Sequence, residues 1–405
     1  YHKVTGVQTC ALPIYLNKIK PNFEKGGRLH ALHSFFDGME TFMFVPHTTS
    51  RTGTNIHDAI DSKRIMILVV IALLPALLFG MYNVGYQHFT HVAAFTQTPM
   101  TAGFWEMFFY GLLAVLPKII VSYVVGLGIE FAVAQWKGEE IHEGILVTGI
   151  LIPMIVPVDC PLWMLAIATA FSVIFAKEVF GGTGMNVFNV ALVTRAFLFF
   201  AYPTKMSGES VWVSGDSIFG LGQTVDGMTA ATSLGIASTA KAADAFPPFS
   251  WDMVTGLIPG SIGETSVIAI LIGAVILLWT GVASWKTMLS VFVGGAVVAG
   301  LFNVSGIDTA MAHMPWYEHL CLGGFCFGAV FMATDPVSSA RTETGKYIYG
   351  FLIGAMAIII RVLNPGYPEG MMLAILLMNV FAPLIDYCVV QGNISRRMKR
   401  VSTQK

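Results

Sequence analysis

The chain has 405 residues, of which 55% are hydrophobic and only 12% charged, and its formal net charge is −1. A water-soluble domain carries roughly 25% charged residues, so a soluble globular fold is excluded and an all-α polytopic membrane protein is implied. The near-neutral balance gives no basis for nucleic-acid binding.

Residues 4–14 read like the translation of a sequencing-library adapter, and residues 1–14 are expected to be non-native. Residues 15–64 are polar and carry Lys18, Lys20, Lys25, Arg28, Arg51, Lys63 and Arg64, which predicts a cytoplasmic segment at the membrane surface. Ten apolar spans follow, at 65–82, 111–134, 144–158, 161–178, 187–202, 266–282, 287–304, 319–333, 347–363 and 370–390. Each is near the length that crosses a bilayer as a helix. Residues 104–110 predict an interfacial helix before the second span. The third and eighth spans are short, which predicts broken helices or helices partly buried in protein. Gly and Pro recur inside spans, as membrane helices tolerate, and Gly294, Gly295, Gly300, Gly323 and Gly324 suit close helix contacts.

Charge sets the expected orientation. With the N-terminus inside, the inner segments hold seventeen Lys and Arg residues against two outside, Lys205 and Lys241. Lys118, Arg195 and Arg361 lie within spans. This positive-inside bias puts both termini in the cytoplasm and the 203–265 loop on the outer side. The loop separates a 65–202 helix block from a 266–390 block, with 391–405 as a cytoplasmic tail. Five spans per half means opposite entry, the arithmetic of an inverted-topology repeat; internal sequence identity is not evident.

The five cysteines, Cys10, Cys160, Cys321, Cys326 and Cys388, have neither zinc nor iron–sulfur spacing. His88, His91, His313 and His319 form no haem or metal pair on a span, so no metal is assigned.

The outer loop contains Asp226-Gly227-Met228-Thr229-Ala230-Ala231-Thr232-Ser233-Leu234. Small residues surround the Thr232 hydroxyl, leaving room for a bulky reaction partner. Such a run is also what an ordinary turn looks like. It resembles the acceptor site at which a flavin transferase joins FMN, through its phosphate, to a threonine. Ala230 stands where the usual form has glycine.

Other stretches point the same way: Lys177–Gly184, Arg195–Pro203, Ile258–Glu264, Phe331–Ser338 and Asn364–Met372. With the Thr232 loop between them, the chain from about residue 15 resembles the B-subunit family of the Na⁺-translocating NADH:quinone oxidoreductases. The D subunits of the electron-transport complex coupling ferredoxin and NAD are similar but lack most of the 15–64 segment.

The resemblance implies a subunit of a six-subunit complex in the bacterial inner membrane. Thr232 would carry covalent FMN, with Asp226, Thr229 and Ala231 around it. A non-covalent riboflavin would sit nearer the cytoplasmic side, at Asn186 and Asn189, whose amides can hydrogen-bond a ring edge or equally cap and crosslink helices. The Gly181–Gly184 turn beside them is not a P-loop, since no Gly-Lys-Ser/Thr follows. Electrons would enter through a partner subunit and reach ubiquinone or menaquinone, coupled to sodium export. Gly126 matches one member of a glycine pair associated with quinone, the other being Leu127; a lone glycine also serves packing. Glu130 and Asp386 match acidic positions of the cation path. The alternatives are ion pairing with Lys118, Arg195 or Arg361, or a solvated Asp386. A flavin-free solute transporter of ten spans is the competing reading.

Overall fold

A computed structural model describes residues 18–23, 36, 62–138, 144–225, 227, 229–240, 249–307 and 309–403. Residues 1–17 and most of the 15–64 segment lie outside the described residues, as does Asp226. Among the described residues the chain is helical, with one isolated bridge, Ile218–Leu221, and no strand. The main helices are α1 (Ser62–Thr96), α2 (Phe104–Lys137), α3 (Ile145–Met154), α4 (Leu162–Ser172), α5 (Val190–Ala201), α6 (Ser233–Thr239), α7 (Val267–Trp279), α8 (Trp285–Ser305), α9 (Trp316–Cys321), α10 (Glu343–Leu363) and α11 (Met371–Thr403).

Every expected span coincides with a helical element, but they are not ten equal crossings. Six apolar helical stretches have crossing length: α1, α2, Leu162–Phe180, α8, α10 and α11. The third, fifth and sixth spans give α3, α5 and α7, of 10, 12 and 13 residues. At 1.5 Å per residue these reach about 15–20 Å, short of a hydrocarbon core about 30 Å thick. The eighth span is broken: α9 stops at Cys321, and the chain resumes as Phe325–Phe327 and a π-turn, Gly328–Met332. Irregular backbone at membrane depth is tolerated where protein buries it. Accordingly Ile155, Val156 and Val158 after α3, and Leu322 and Phe325 at the break, are buried. The interfacial helix expected at 104–110 is instead the first part of α2, which runs unbroken from Phe104. Its exposed Phe104, Trp105 and Phe109 have the composition of an aromatic belt at the membrane surface.

The two helix blocks share an order of local features. In each half a short or broken element, α3 or Phe325–Met332, is followed by a turn carrying an acidic residue, Asp159 or Asp335. A spanning helix then ends at a buried cation, Lys177 or Arg361, before a glycine-containing loop leads to the next helix.

Glycine lets the spanning helices touch backbone to backbone. A Cβ on Gly111 would strike Met81 of α1, at 2.6 Å from its carbonyl carbon. Between α8 and α10, a Cβ on Gly354 would lie 2.6 Å from the Gly295 nitrogen. Gly354→Leu is expected to force α8 and α10 apart, at a cost of about 1–3 kcal/mol or more. A lowered Tm of the detergent-solubilised protein is the expected reading; an unchanged Tm would mean that this contact is dispensable.

The loop between the halves is docked on the bundle. His88 of α1 shares a hydrogen bond with the Ser214 carbonyl at 2.7 Å and stacks on Tyr110 of α2, ring centroids 4.1 Å apart. The Tyr110 hydroxyl donates to the Asp216 carbonyl at 2.6 Å, and Asn83 donates to the Ile258 carbonyl at 3.0 Å. Beneath this loop Asp159 is held above the usual carboxylate range, chiefly by burial and then by the neighbouring Asp216.

Candidate functional site

Two cavities sit at opposite ends of the bundle. One lies where α5 ends, α6 begins, the eighth span breaks and α10 turns into α11. Its volume is ≈ 320 Å³, and Thr232, Trp212, Phe199, Tyr367, Glu264 and Glu369 are among its walls. The other gathers the N-terminal ends of α1, α3 and α5 with the end of the π-turn. It is smaller, ≈ 120 Å³, and its lining includes Lys177, Thr183, Asn186, Asn189, Thr334 and Asp335.

Thr232 is placed by its own chemistry. It is the N-cap of α6, with extended backbone, and its Oγ accepts from the Gly235 N–H at 3.0 Å. Threonine is a preferred cap because its oxygen satisfies a helix N–H that has no partner within the helix. The hydroxyl hydrogen is left uncommitted among the described residues. A phosphoester replaces that hydrogen and leaves the oxygen able to accept the same N–H, so cap and attachment are compatible.

The loop also explains Ala230. Its N–H donates to the Glu209 carbonyl at 2.7 Å, and its methyl packs in a small cluster with Val92 and Val213. Among the described residues only Gln97 and Phe219 combine a side chain with positive φ. Position 230 therefore needs no glycine. Ala231 and Thr229 flank it; Ala231 lines the cavity with Thr232, whereas Thr229 is an exposed neighbour in the loop.

The floor of this cavity is an ionic cluster. Arg195 of α5 is buried, donates to Glu264 at 2.7 Å and to Ser261 at 3.5 Å, and pairs with Glu369. Arg361, fully buried, donates instead to four backbone carbonyls: Pro368 at 3.1 Å, His319 at 2.6 Å, Leu322 at 3.2 Å and Glu369 at 3.1 Å. It thus satisfies carbonyls freed by the break after α9 and by the α10–α11 loop. Two arginines and two glutamates balance in charge. Arg195 and Arg361 were expected as possible partners of Glu130; they serve the opposite end of the molecule.

Glu130 pairs with Lys177. Lys177, counted from the sequence among inner-loop charges, is 4% exposed. A π-turn at Val173–Lys177 ends the fourth span there and turns the ammonium inward. The second carboxylate oxygen of Glu130 has no protein partner among the described residues. Lys177 lines the smaller cavity and Glu130 does not.

Asn186 and Asn189 both line that cavity, and both also serve the fold. Asn189 caps α5, accepting from the Leu192 N–H at 3.3 Å, and donates to Asp335 at 3.4 Å. Asn186 donates to the Phe188 carbonyl at 2.9 Å, leaving its own carbonyl oxygen without a partner among the described residues. Asp335, in the loop after the π-turn, also accepts from the Val337 N–H at 3.1 Å and Ser338 at 2.8 Å. Burial nevertheless holds its carboxyl above the usual range, against the pull of those bonds.

Gly126 lies away from both cavities. A Cβ there would meet the Ile145 side chain at 2.7 Å, so α2 and α3 pack closely at this point. Asp386 of α11 is half-buried. It accepts from the Arg341 N–H at 2.7 Å and from Thr342, N–H at 3.0 Å and hydroxyl at 2.6 Å, tying α11 to the start of α10. Glu264, Glu369 and Lys177 were not singled out from the sequence as site residues. The available signal was the cost of a charge in a membrane span, which calls for a partner.

Fold and site together define an integral membrane protein with a hydroxyl-bearing cavity at one end and an amide-lined cavity at the other. Residues 49–395 match the family described as NQR2, RnfD, RnfE, and the chain belongs to it. It is 45% identical over 402 residues to the B subunit of the Na(+)-translocating NADH-quinone reductase of Chromohalobacter salexigens, covering 95% of each chain. It is 45% identical over 406 residues to the protein of that name from Azotobacter vinelandii, with 95% and 98% covered. The Pseudoalteromonas atlantica protein of the same name is 44% identical over 411 residues, with 96% and 99% covered.

Proposed function

We propose that this chain is the B-type membrane subunit of a Na⁺-translocating NADH:quinone oxidoreductase, with FMN esterified to Thr232 and riboflavin at the smaller cavity. The observation that carries this reading is a capping threonine whose hydroxyl proton is uncommitted, in the wall of a ≈ 320 Å³ cavity. The cavity's mixed lining suits a flavin: Trp212, Phe199 and Tyr367 offer aromatic faces, while Ser207, Ser238 and Gly235 offer polar edges. When bound, the flavins supply the electron carriage between NADH-derived electrons and quinone that no side chain of this protein can provide. The chain's own residues anchor, orient and exclude water.

At the smaller cavity the free carbonyl oxygen of Asn186 is the group fitted to a ring N–H. Asn189 acts through Asp335 and the α5 cap. The volume there matches a ring edge rather than a whole isoalloxazine, so riboflavin would extend beyond the cavity. Gly126 is assigned to the quinone site by its match to one member of the family's glycine pair, and its close contact with Ile145 gives it a packing role as well. Glu130 and Asp386 are assigned to the cation path. The partners are the other subunits of a six-subunit complex in the bacterial inner membrane, ubiquinone or menaquinone, Na⁺, and a flavin transferase during maturation. Both termini are cytoplasmic and the Thr232 loop periplasmic in this reading.

Fluorescence of the denatured band tests it. Thr232→Asn preserves a good cap but removes the hydroxyl. The expected band is dark, with the complex still assembled and quinone reduction lost. A fluorescent Thr232→Asn band would place the flavin elsewhere. A dark wild-type band from a host with the transferase would favour the flavin-free transporter.

A further inference from the structure

A third cleft, ≈ 460 Å³, lies between α10 and α11 at the end of the bundle that carries the C-terminal tail. Ile348, Leu384, Ile385 and Val389 make its walls; Asn393 and Arg396 stand at one end. Along α11 the lining runs from Leu384 to Arg396, twelve residues of continuous helix or about 18 Å. The part from Leu384 to Val389, with Ile348 of α10, is apolar, and Thr344, Gly392, Asn393 and Arg396 make the polar end.

Charge decides what suits that end. The nearby carboxylates are already engaged: Glu343 with Lys286 and Lys346, Asp386 with the Arg341 and Thr342 backbone. Arg396 has no ion pair or hydrogen bond among the described residues. Arg397, Lys399 and Arg400 follow on the same exposed helix. A cationic end on an apolar cleft between spanning helices calls for a lipid with an anionic headgroup.

We propose that this cleft is a binding site for one anionic phospholipid, its acyl chain along Leu384 and Ile348 and its phosphate against Arg396 and Asn393. The site is separate from both cavities above and does not depend on the flavin reading.

Cys388 reports on the cleft, because it lines the wall and is the exposed member of the free cysteines among the described residues. The experiment is maleimide alkylation of Cys388 in the purified, delipidated complex, followed by peptide mass spectrometry. Added phosphatidylglycerol is expected to slow alkylation at least fivefold at concentrations where phosphatidylcholine does little. Glycerol 3-phosphate, which lacks the chain, is expected to give no protection. Arg396→Ala, at an exposed position, is expected to remove the difference between the two lipids. Ile348→Trp, which fills the cleft, is expected to remove protection by either. Equal protection by both lipids, protection by glycerol 3-phosphate, an unchanged preference in Arg396→Ala, or a Cys388 that no lipid protects would each overturn the proposal.

Discussion

Replacing Arg195 with methionine is expected to prevent recovery of folded, assembled complex from membranes. Arg195 is the shared partner of two carboxylates, Glu264 at 2.7 Å and Glu369. Removing the guanidinium leaves both carboxylates without it in the cavity wall. Breaking a buried pair from one side costs about 3–5 kcal/mol, and here two anions lose their partner together. Arg195→Lys is expected to recover only part of the loss. One ammonium lacks the planar fork that reaches Glu264, Glu369 and Ser261 at once. The triple change Arg195→Met, Glu264→Gln, Glu369→Gln is expected to restore much of the Tm, because it removes the charges as a set. A wild-type Tm for Arg195→Met alone would show that the cluster does not hold the cavity floor.

The second large effect is expected at Lys177. Lys177→Met leaves Glu130 buried with no cation, again a loss of about 3–5 kcal/mol. Glu130→Gln is expected to be milder for folding. The double change should bring the Tm back toward wild type. Sodium uptake by vesicles separates structure from transport. If Glu130 belongs to the cation path, the double variant regains stability but not Na⁺-dependent turnover. If turnover returns with the Tm, Glu130 is only the partner of Lys177.

Much of the fold was legible because hydrophobic runs of membrane length have few alternatives in lipid. The short third span and the broken eighth could be read from length alone. The short fifth and sixth could not: residues 187–189 and 280–282 are apolar enough to extend a run but are shaped by caps and turns, Asn189 at one end and Gly281 at φ 71° at the other. The start of α2 was misplaced because Phe104, Trp105 and Phe109 have the composition of a surface helix, and only the continuity of the backbone shows otherwise.

At the site, the small neighbours of Thr232 are a local signal in the sequence, and the structure places that threonine at a helix cap in a cavity wall. The ionic partners were not legible in the sequence. Glu264 and Glu369 lie 69 and 174 residues from Arg195, and pairing over such separations is set by helix packing. Glu130 likewise finds Lys177, 47 residues away, through a π-turn with no evident sequence signature. Asp386 reads as a charge in a span until the start of α10 is seen to donate three hydrogen bonds to it.

Intact-mass analysis of the chain purified from the assembled, matured complex is the most direct test of the tethered flavin. The polypeptide is expected to be heavier by one FMN less water, with the increment confined to the peptide that contains Thr232. An unmodified mass, or an increment on another peptide, would contradict the assignment of this cavity to a covalently held flavin.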